Sequence, residues 1–291
     1  MAFKLVMLPP QNDIYRGWAR RLAGELPQVE VVVAEDTQAA AAALVDADGA
    51  FGPLPADLLA VTTRLRWLQA NQAAPPAGFY YDALARHPLV ATNFREIFND
   101  HIGAHIMAFV LSFARGFHYY IPQQTRREWA KPPEDEGVVA LPGATALIVG
   151  LGGIGAEAAR LCAAFGMTVL GTDARRSAAP EGVAEMHPPE ALDALLPRAD
   201  FVILTVPHTP ATEGFFNRAR FQRMRPGAFF INIGRGKTTR LDDLVAALHA
   251  GEIAGAGLDV FEEEPLPAGH PLWTLPGVLI TPHMAGYGPH L

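Results

Sequence analysis

The stretch Ala144-Thr-Ala-Leu-Ile-Val-Gly-Leu-Gly-Gly-Ile-Gly155 decides the fold. Residues 146–149 are an unbroken apolar run, the pattern of a strand buried on both faces. Gly150, Gly152 and Gly155 then give G-x-G-x-x-G, with Gly153 and Ile154 inside the motif. Residues 156–165 follow with helix formers and apolar positions at helical spacing. Strand, glycine turn and helix in that order form the context in which the motif predicts dinucleotide binding. Gly150 permits the tight turn, Gly152 lets a pyrophosphate approach the backbone, and Gly155 lets the helix close on the strand. The helix N-terminus offers free N–H groups and the positive end of the dipole to the phosphates. Residues 167–172 read as the next strand. Asp173 ends it, eighteen positions beyond Gly155, where such a fold places the acid for the adenosine ribose hydroxyls.

Outward from this stretch, a length of 291 residues predicts one large or two ordinary domains. Half of the residues are hydrophobic and 18% are charged, which supplies a core and argues against disorder. The net charge of −7, with no basic tract, argues against nucleic acid as a partner. No apolar run reaches the length of a membrane span. The opening Met1-Ala-Phe-Lys-Leu-Val-Met-Leu reads as a strand and lacks the features of a signal peptide. Cys162 is the single cysteine, so no internal disulfide forms, and its place in the helix after the glycine turn predicts a buried thiol. A cytoplasmic protein is expected.

Upstream, strands are predicted at 3–8, 29–34, 50–51, 65–70 and 89–91, and helices at 14–26 and 39–45. Alternation of strand and helix predicts a parallel, doubly wound sheet. This unit, residues 1–95, carries no phosphate-binding glycine motif and is expected on the substrate side. Residues 92–99 read as the crossing. A long helix over 100–120 is more apolar than one domain face requires, so it is expected to meet a second subunit. His101 and His105 fall one turn apart on it, but the residues between them, Ile102, Gly103 and Ala104, bring no carboxylate and the glutamate of a metallohydrolase is missing, so no metal is expected. Residues 132–137 read as a polar loop. Downstream, helices at 188–196, 221–224 and 241–250 alternate with strands at 201–205, 228–233, 254–258 and 278–280. The fold class is α/β, with two doubly wound parallel-sheet domains. The second, residues 96–281, is a dinucleotide-binding Rossmann domain, and residues 282–291 form a stub returning towards the first.

Three segments follow strands, where open α/β sheets place their ligands. Ile231-Asn-Ile-Gly-Arg-Gly236 presents Arg235 between glycines, with room for bidentate contact to a carboxylate. Leu258-Asp-Val-Phe-Glu-Glu-Glu-Pro-Leu-Pro267 places Asp259 after a strand with a row of acids behind it. Thr281-Pro-His-Met-Ala285 holds His283 behind a proline. Singly, these read as a turn, a solvated acidic run and an isolated histidine. Together they read as hydride-transfer chemistry: an arginine for an α-carboxylate, a histidine for the carbonyl proton and an acid to tune the histidine.

The order Gly150-x-Gly152-x-x-Gly155, Asp173, Val206-Pro-His-Thr-Pro-x-Thr212, Asn232-x-Gly-Arg-Gly236, Leu258-Asp-Val-Phe-x-x-Glu-Pro265 and Thr281-Pro-His283 resembles the D-isomer-specific 2-hydroxyacid dehydrogenases. The resemblance is strong over residues 89–286 and holds in outline before that. It implies that Arg235 binds and polarises a 2-oxo acid, that His283 is the proton donor in reduction and that Glu264 pairs with it. It implies a nicotinamide cofactor on Gly150, Gly152, Gly153, Ile154, Gly155 and Asp173. Thr205, Val206 and Pro207 would line its adenosine side, Ile233 and Gly234 would lie near the ring, and Asp259 would hold the carboxamide. The expected activity is reduction of a small 2-oxo acid such as glyoxylate or hydroxypyruvate to the D-2-hydroxy acid. Phosphoglycerate dehydrogenase and a dinucleotide-sensing regulatory protein of the same family are the alternatives. Asp173 favours NAD, with NADP as the alternative because Arg175 and Arg176 follow it. The long helix matches the family's dimer helix, so a homodimer is expected.

The sequence departs from the family pattern in two places. In the loop 68–76, Ala74 stands where glycine is usual, and Pro75 removes an N–H donor. The sequence also stops eight residues after His283, where the family continues into a helix that returns to the first domain. A looser hinge between the domains is the expectation.

Overall fold

The computed structural model describes residues 2–73, 75, 78–131 and 138–288. They fall into two compact units bounded as Met1–Ile97 and Phe98–Leu291. The first runs β1 (Phe3–Met7), α1 (Asp13–Glu25), β2 (Val29–Val33), α2 (Thr37–Leu44), β3 (Gly49–Phe51), α3 (Ala56–Ala60), β4 (Trp67–Gln69), α4 (Asp82–Arg86) and β5 (Val90–Thr92). Its strands form a parallel sheet in the order β2-β1-β3-β4-β5. The longer helices start where short polar side chains accept a free backbone donor. Asn12 accepts the Tyr15 N–H and Asp36 the Ala39 N–H, both at 2.8 Å. Helices α3 and α4 have five residues each, too few to show a helical period in the sequence.

The second unit runs α5 (Asn99–Ala114), α6 (Phe117–Arg126), β6 (Thr145–Val149), α7 (Gly153–Ala164), β7 (Thr168–Thr172), β8 (Glu185–His187), α8 (Leu192–Leu195), β9 (Phe201–Leu204), α9 (Arg218–Phe221), β10 (Phe229–Asn232), α10 (Leu241–His249), β11 (Gly255–Leu258) and β12 (Val278–Ile280). Its seven parallel strands lie in the order β12-β11-β10-β9-β6-β7-β8. Succession along the chain therefore runs one way from β6 to β8 and the other way from β9 to β12. The switch falls between β6 and β9, which places a ligand crevice at their carboxyl ends.

Burial on both sheet faces accounts for the unbroken apolar runs. In β6, Leu147 and Val149 join the core that holds Leu204, Phe230 and Leu258, under α10. Ala146 and Ile148 join the opposite core, with Phe109 and Phe113 of α5 and Cys162 of α7. Successive side chains point to opposite faces, and both faces are covered. The Cys162 thiol is buried, and burial pushes its pKa up to about 12.

The helix expected over 100–120 is two helices. Helix α5 ends at Ala114, and Gly116 takes a left-handed φ of 70° before α6 begins. The Arg115 N–H bonds back to the Leu111 carbonyl and the Gly116 N–H to that of Phe113, which closes α5 with the residue that takes a left-handed conformation most readily. The short helix expected at 221–224 lies at Arg218–Phe221 instead, because Asn217 caps it and accepts the Arg220 N–H. The loop expected at 132–137 lies outside the described residues. Among the described residues, no helix is long and apolar enough to cross a membrane.

Candidate active site

The glycine turn follows β6 directly. Gly150 has φ 100°, and its N–H bonds the Thr172 carbonyl at 2.9 Å. A Cβ on Gly155 would overlap the Gly150 carbonyl, so only glycine lets α7 approach β6 this closely. At Gly152 a Cβ would meet nothing within 4 Å, which leaves the backbone open on the side a pyrophosphate would use. Thr205 donates to the Gly150 carbonyl at 2.6 Å and so ties the end of β9 to the turn. A Cβ on Gly234 would come within 2.6 Å of the Val206 carbonyl, so the loops after β9 and β10 lie back to back. Thr205, Val206, Pro207, Ile233 and Gly234 therefore share the carboxyl end of the sheet.

Asp173 ends β7 with its carboxylate turned into the backbone. Oδ2 accepts the Leu151 N–H at 2.8 Å, and Oδ1 accepts the N–H groups of Arg175 at 2.7 Å and Arg176 at 2.9 Å. Burial pushes its pKa up. The three N–H bonds to the charged form outweigh that, and the carboxyl sits below its ordinary range. The Arg176 Nε donates to the Leu151 carbonyl, so both residues knit the turn after β7 to the glycine turn.

Arg235, Glu264 and His283 line one pocket of about 270 Å³, together with His208, Lys237 and Phe261. Gly236 follows Arg235 because its Cα lies against the Phe261 backbone, where a Cβ would overlap. Arg235 Nη1 donates to the Gly234 carbonyl at 2.6 Å, and no ion pair holds the rest of the fork among the described residues. His283 Nδ1 lies 2.7 Å from Glu264 Oε2, with the two side chains 50% and 36% exposed. Since a carboxylate only accepts, Nδ1 is the donor and Nε2 faces away from the glutamate. Glu264 Oε1 in turn accepts the Phe261 N–H at 2.9 Å, which fixes the carboxylate. The acidic row thus divides its work: Glu262 accepts the Leu241 N–H at the start of α10 at 2.7 Å, and Glu264 orients the histidine.

Asp259 is 1% exposed, just beyond β11. Its Oδ1 accepts the Thr281 hydroxyl at 2.6 Å and the Met284 N–H at 2.9 Å, and its Oδ2 accepts the Ala285 N–H at 3.0 Å. Among the described residues Oδ2 accepts no second bond. Sequence reasoning left four neighbours of this site without a role: His208, Lys237, Thr281 and His105. His105 Nε2 lies 2.9 Å from Thr281 Oγ1. Thr281 and His208 lay within the motifs Thr281-Pro-His283 and Val206-Pro-His-Thr-Pro-x-Thr212, and His105 was read only for a metal; Lys237 gave no signal. His101 stands 3.8 Å from Asp100, and among the described residues no three His, Cys, Asp or Glu side chains converge on a metal position. In the loop 68–76, Ala74 and Pro76 lie outside the described residues.

The family model for the NAD-binding domain of D-isomer specific 2-hydroxyacid dehydrogenases matches residues 107–285. A glyoxylate/hydroxypyruvate reductase A of Yersinia enterocolitica is 37% identical over 183 residues, 62% of this chain and 56% of that protein, so the chain matches little more than half of that relative. A glyoxylate/hydroxypyruvate reductase B of Citrobacter koseri is 35% identical over 272 residues, 88% of this chain and 80% of that protein. A crystal structure of a D-isomer specific 2-hydroxyacid dehydrogenase from Xanthobacter autotrophicus, in complex with NADPH and MES, superposes with a TM-score of 0.84 at 29% identity, over 99% of this chain and 90% of that one.

Proposed function

The chain belongs to the D-isomer specific 2-hydroxyacid dehydrogenases, and from that membership we propose that it reduces a small 2-oxo acid of the glyoxylate and hydroxypyruvate kind to the D-2-hydroxy acid. The observation that carries this reading is the meeting of Arg235, Glu264 and His283 in one pocket, with Nδ1 of the histidine 2.7 Å from the glutamate. An arginine fork suits a carboxylate in bidentate contact, and Arg235 would hold the substrate by it. His283, its Nδ1 engaged by Glu264, would carry a proton on Nε2 and give it to the carbonyl oxygen as negative charge builds there. Glu264 keeps the ring turned to the pocket. A bound nicotinamide cofactor would supply the hydride that turns the 2-oxo carbon into an alcohol carbon.

The residues present fit a dinucleotide. Gly152 leaves the backbone open, and the twelve-residue helix α7 points its N-terminus at the same place. We assign the pyrophosphate to Gly152, Gly153, Ile154 and Gly155, the ribose hydroxyls to Asp173 and the ring side to Ile233 and Gly234. Asp259 Oδ2 would accept a carboxamide N–H. Both NADH and NADPH fit this reading. Asp173 spends much of its carboxylate on backbone N–H groups, and the exposed Arg175 stands ready for a 2′-phosphate.

The protein is proposed to act as a homodimer. On α6, Phe117, Tyr119, Tyr120 and Ile121 are exposed, from 38% to 53%, which forms an apolar patch suited to a second copy. Its place is the cytoplasm, in keeping with a single buried thiol and no disulfide. Oxidation of NADH and NADPH with a panel of 2-oxo acids, followed by chiral analysis of the product, tests the function. Turnover of glyoxylate or hydroxypyruvate, the latter giving the D-product, is expected. Tight cofactor binding without turnover of any 2-oxo acid would contradict it and favour a dinucleotide-sensing protein.

A further inference from the structure

His283 holds a backbone conformation that residues with a Cβ avoid, with φ 52°. A left-handed residue of this kind crowds its Cβ against the following carbonyl oxygen and is disfavoured. It persists only where its surroundings over-determine it. Here Asp259 does so. Its carbonyl accepts the His283 N–H at 2.8 Å, and its carboxylate takes the Thr281 hydroxyl and the N–H groups of Met284 and Ala285. Four bonds from one buried residue thus fix the loop on both sides of the histidine.

One side chain reaches this network from outside the loop. His105, on α5, places Nε2 2.9 Å from Thr281 Oγ1 and 3.9 Å from Asp259 Oδ1. The Thr281 hydroxyl has one proton, and it goes to Asp259. Nε2 of His105 must then be the donor to the Thr281 oxygen. Burial lowers the pKa of His105 against the opposing pull of Asp259, which favours the neutral ring. The ring is held in this orientation edge-on to Phe109, at 5.0 Å between centroids. Phe109 is itself wedged against Gly257 of β11, where a Cβ would come 2.8 Å from its ring.

We propose that His105 is a positioning residue for the reduction: by donating to Thr281 it commits the Thr281 hydroxyl proton to Asp259, and so holds the loop that turns His283 towards Glu264. The inference rests on the reading of His283 as the proton donor. It differs from the metal role that the spacing of His101 and His105 would suggest, because the ring nitrogen nearest the site is spent on a hydroxyl.

The test uses His105→Leu, Thr281→Val, the double variant, and the conservative His105→Gln and Thr281→Ser, each keeping a donor or hydroxyl. Kcat for glyoxylate reduction is expected to fall about tenfold in each non-polar variant, the rate equivalent of one lost hydrogen bond. The dissociation constant for NADPH, read by fluorescence titration, and the melting temperature should stay close to wild type. Gln and Ser should restore most of the rate. The double variant should be no slower than either single, since both cut one path. Wild-type kcat in His105→Leu and Thr281→Val overturns the proposal. So does a loss that follows cofactor affinity or melting temperature and is not restored by Gln and Ser, or one that multiplies in the double variant. His283→Ala separates the two readings. If it keeps full activity, both fall; if it is inactive while His105→Leu and Thr281→Val turn over normally, only the role of His105 falls.

Discussion

Arg235 has a neighbour on each side that explains its shape of work. Gly234 gives it a carbonyl at 2.6 Å to rest one Nη on, and Gly236 brings the following backbone against Phe261. Among the described residues no carboxylate pairs with the guanidinium, and in the proposed reaction a substrate carboxylate would complete the pair. Lysine keeps the charge there but loses the planar fork. Arg235→Lys is expected to raise the KM for the 2-oxo acid and lower kcat/KM, with the dissociation constant for the cofactor unchanged. Steady-state kinetics beside a fluorescence titration reads both. A variant whose kcat/KM equals wild type would show that the substrate carboxylate is held elsewhere. Asp173, to which we assign the ribose hydroxyls, also holds three backbone N–H groups. Its place after β7 was legible from spacing alone, whereas its three backbone bonds follow from how two turns meet in space.

Among the elements, the junction of α5 and α6 carries a second titratable group. His118 lies in the first turn of α6, 5% exposed, against Phe113, Tyr119 and Phe229. Among the described residues, neither ring nitrogen has a hydrogen-bond partner of ordinary geometry. Burial lowers its pKa, and the Ser112 backbone opposes that by less. The unfolded chain therefore takes up a proton near the ordinary histidine value of about 6.5, where the folded chain does not. Stability should fall as pH drops below that value, by up to about 1.4 kcal/mol per pH unit for one proton. His118→Phe should flatten this slope between pH 7 and 5 in urea unfolding. An unchanged slope would mean that another group sets it. The same junction marks a limit of sequence reading. Apolar residues on both sides of Gly116 continue one helical pattern, and only the left-handed backbone at Gly116 divides it. Long buried strands such as β6 and β10 were legible because burial on both faces writes an unbroken apolar run. Strand β8 was not, since Glu185-Met-His187 is short, polar and at the sheet edge. Within the site, Arg235, Glu264 and His283 could be read because each follows a strand end. His105 could not, because it reaches the site from a helix through the Thr281 hydroxyl, a contact that no spacing encodes.

On the scale of the whole molecule, each unit is a parallel sheet with its own core, and the chemistry proposed here draws on the second. The exposed aromatic patch of α6 belongs to that unit as well. If two copies meet there, a charge at its centre should separate them, because an unpaired carboxylate in an apolar interface is costly to bury. Ile121→Glu is expected to run as a monomer by light scattering where the wild type runs as a dimer. A monomeric wild type would contradict the proposed assembly without touching the site. The central claim is that His283 hands its proton to the substrate oxygen, and one comparison tests it most directly: kcat for glyoxylate reduction in His283→Ala against wild type, on protein whose NADPH affinity has been measured in the same preparation. Kcat is expected to fall by about 10²–10⁴, the span of a general acid, with cofactor affinity retained; a His283→Ala enzyme that reduces glyoxylate at the wild-type rate would contradict this role.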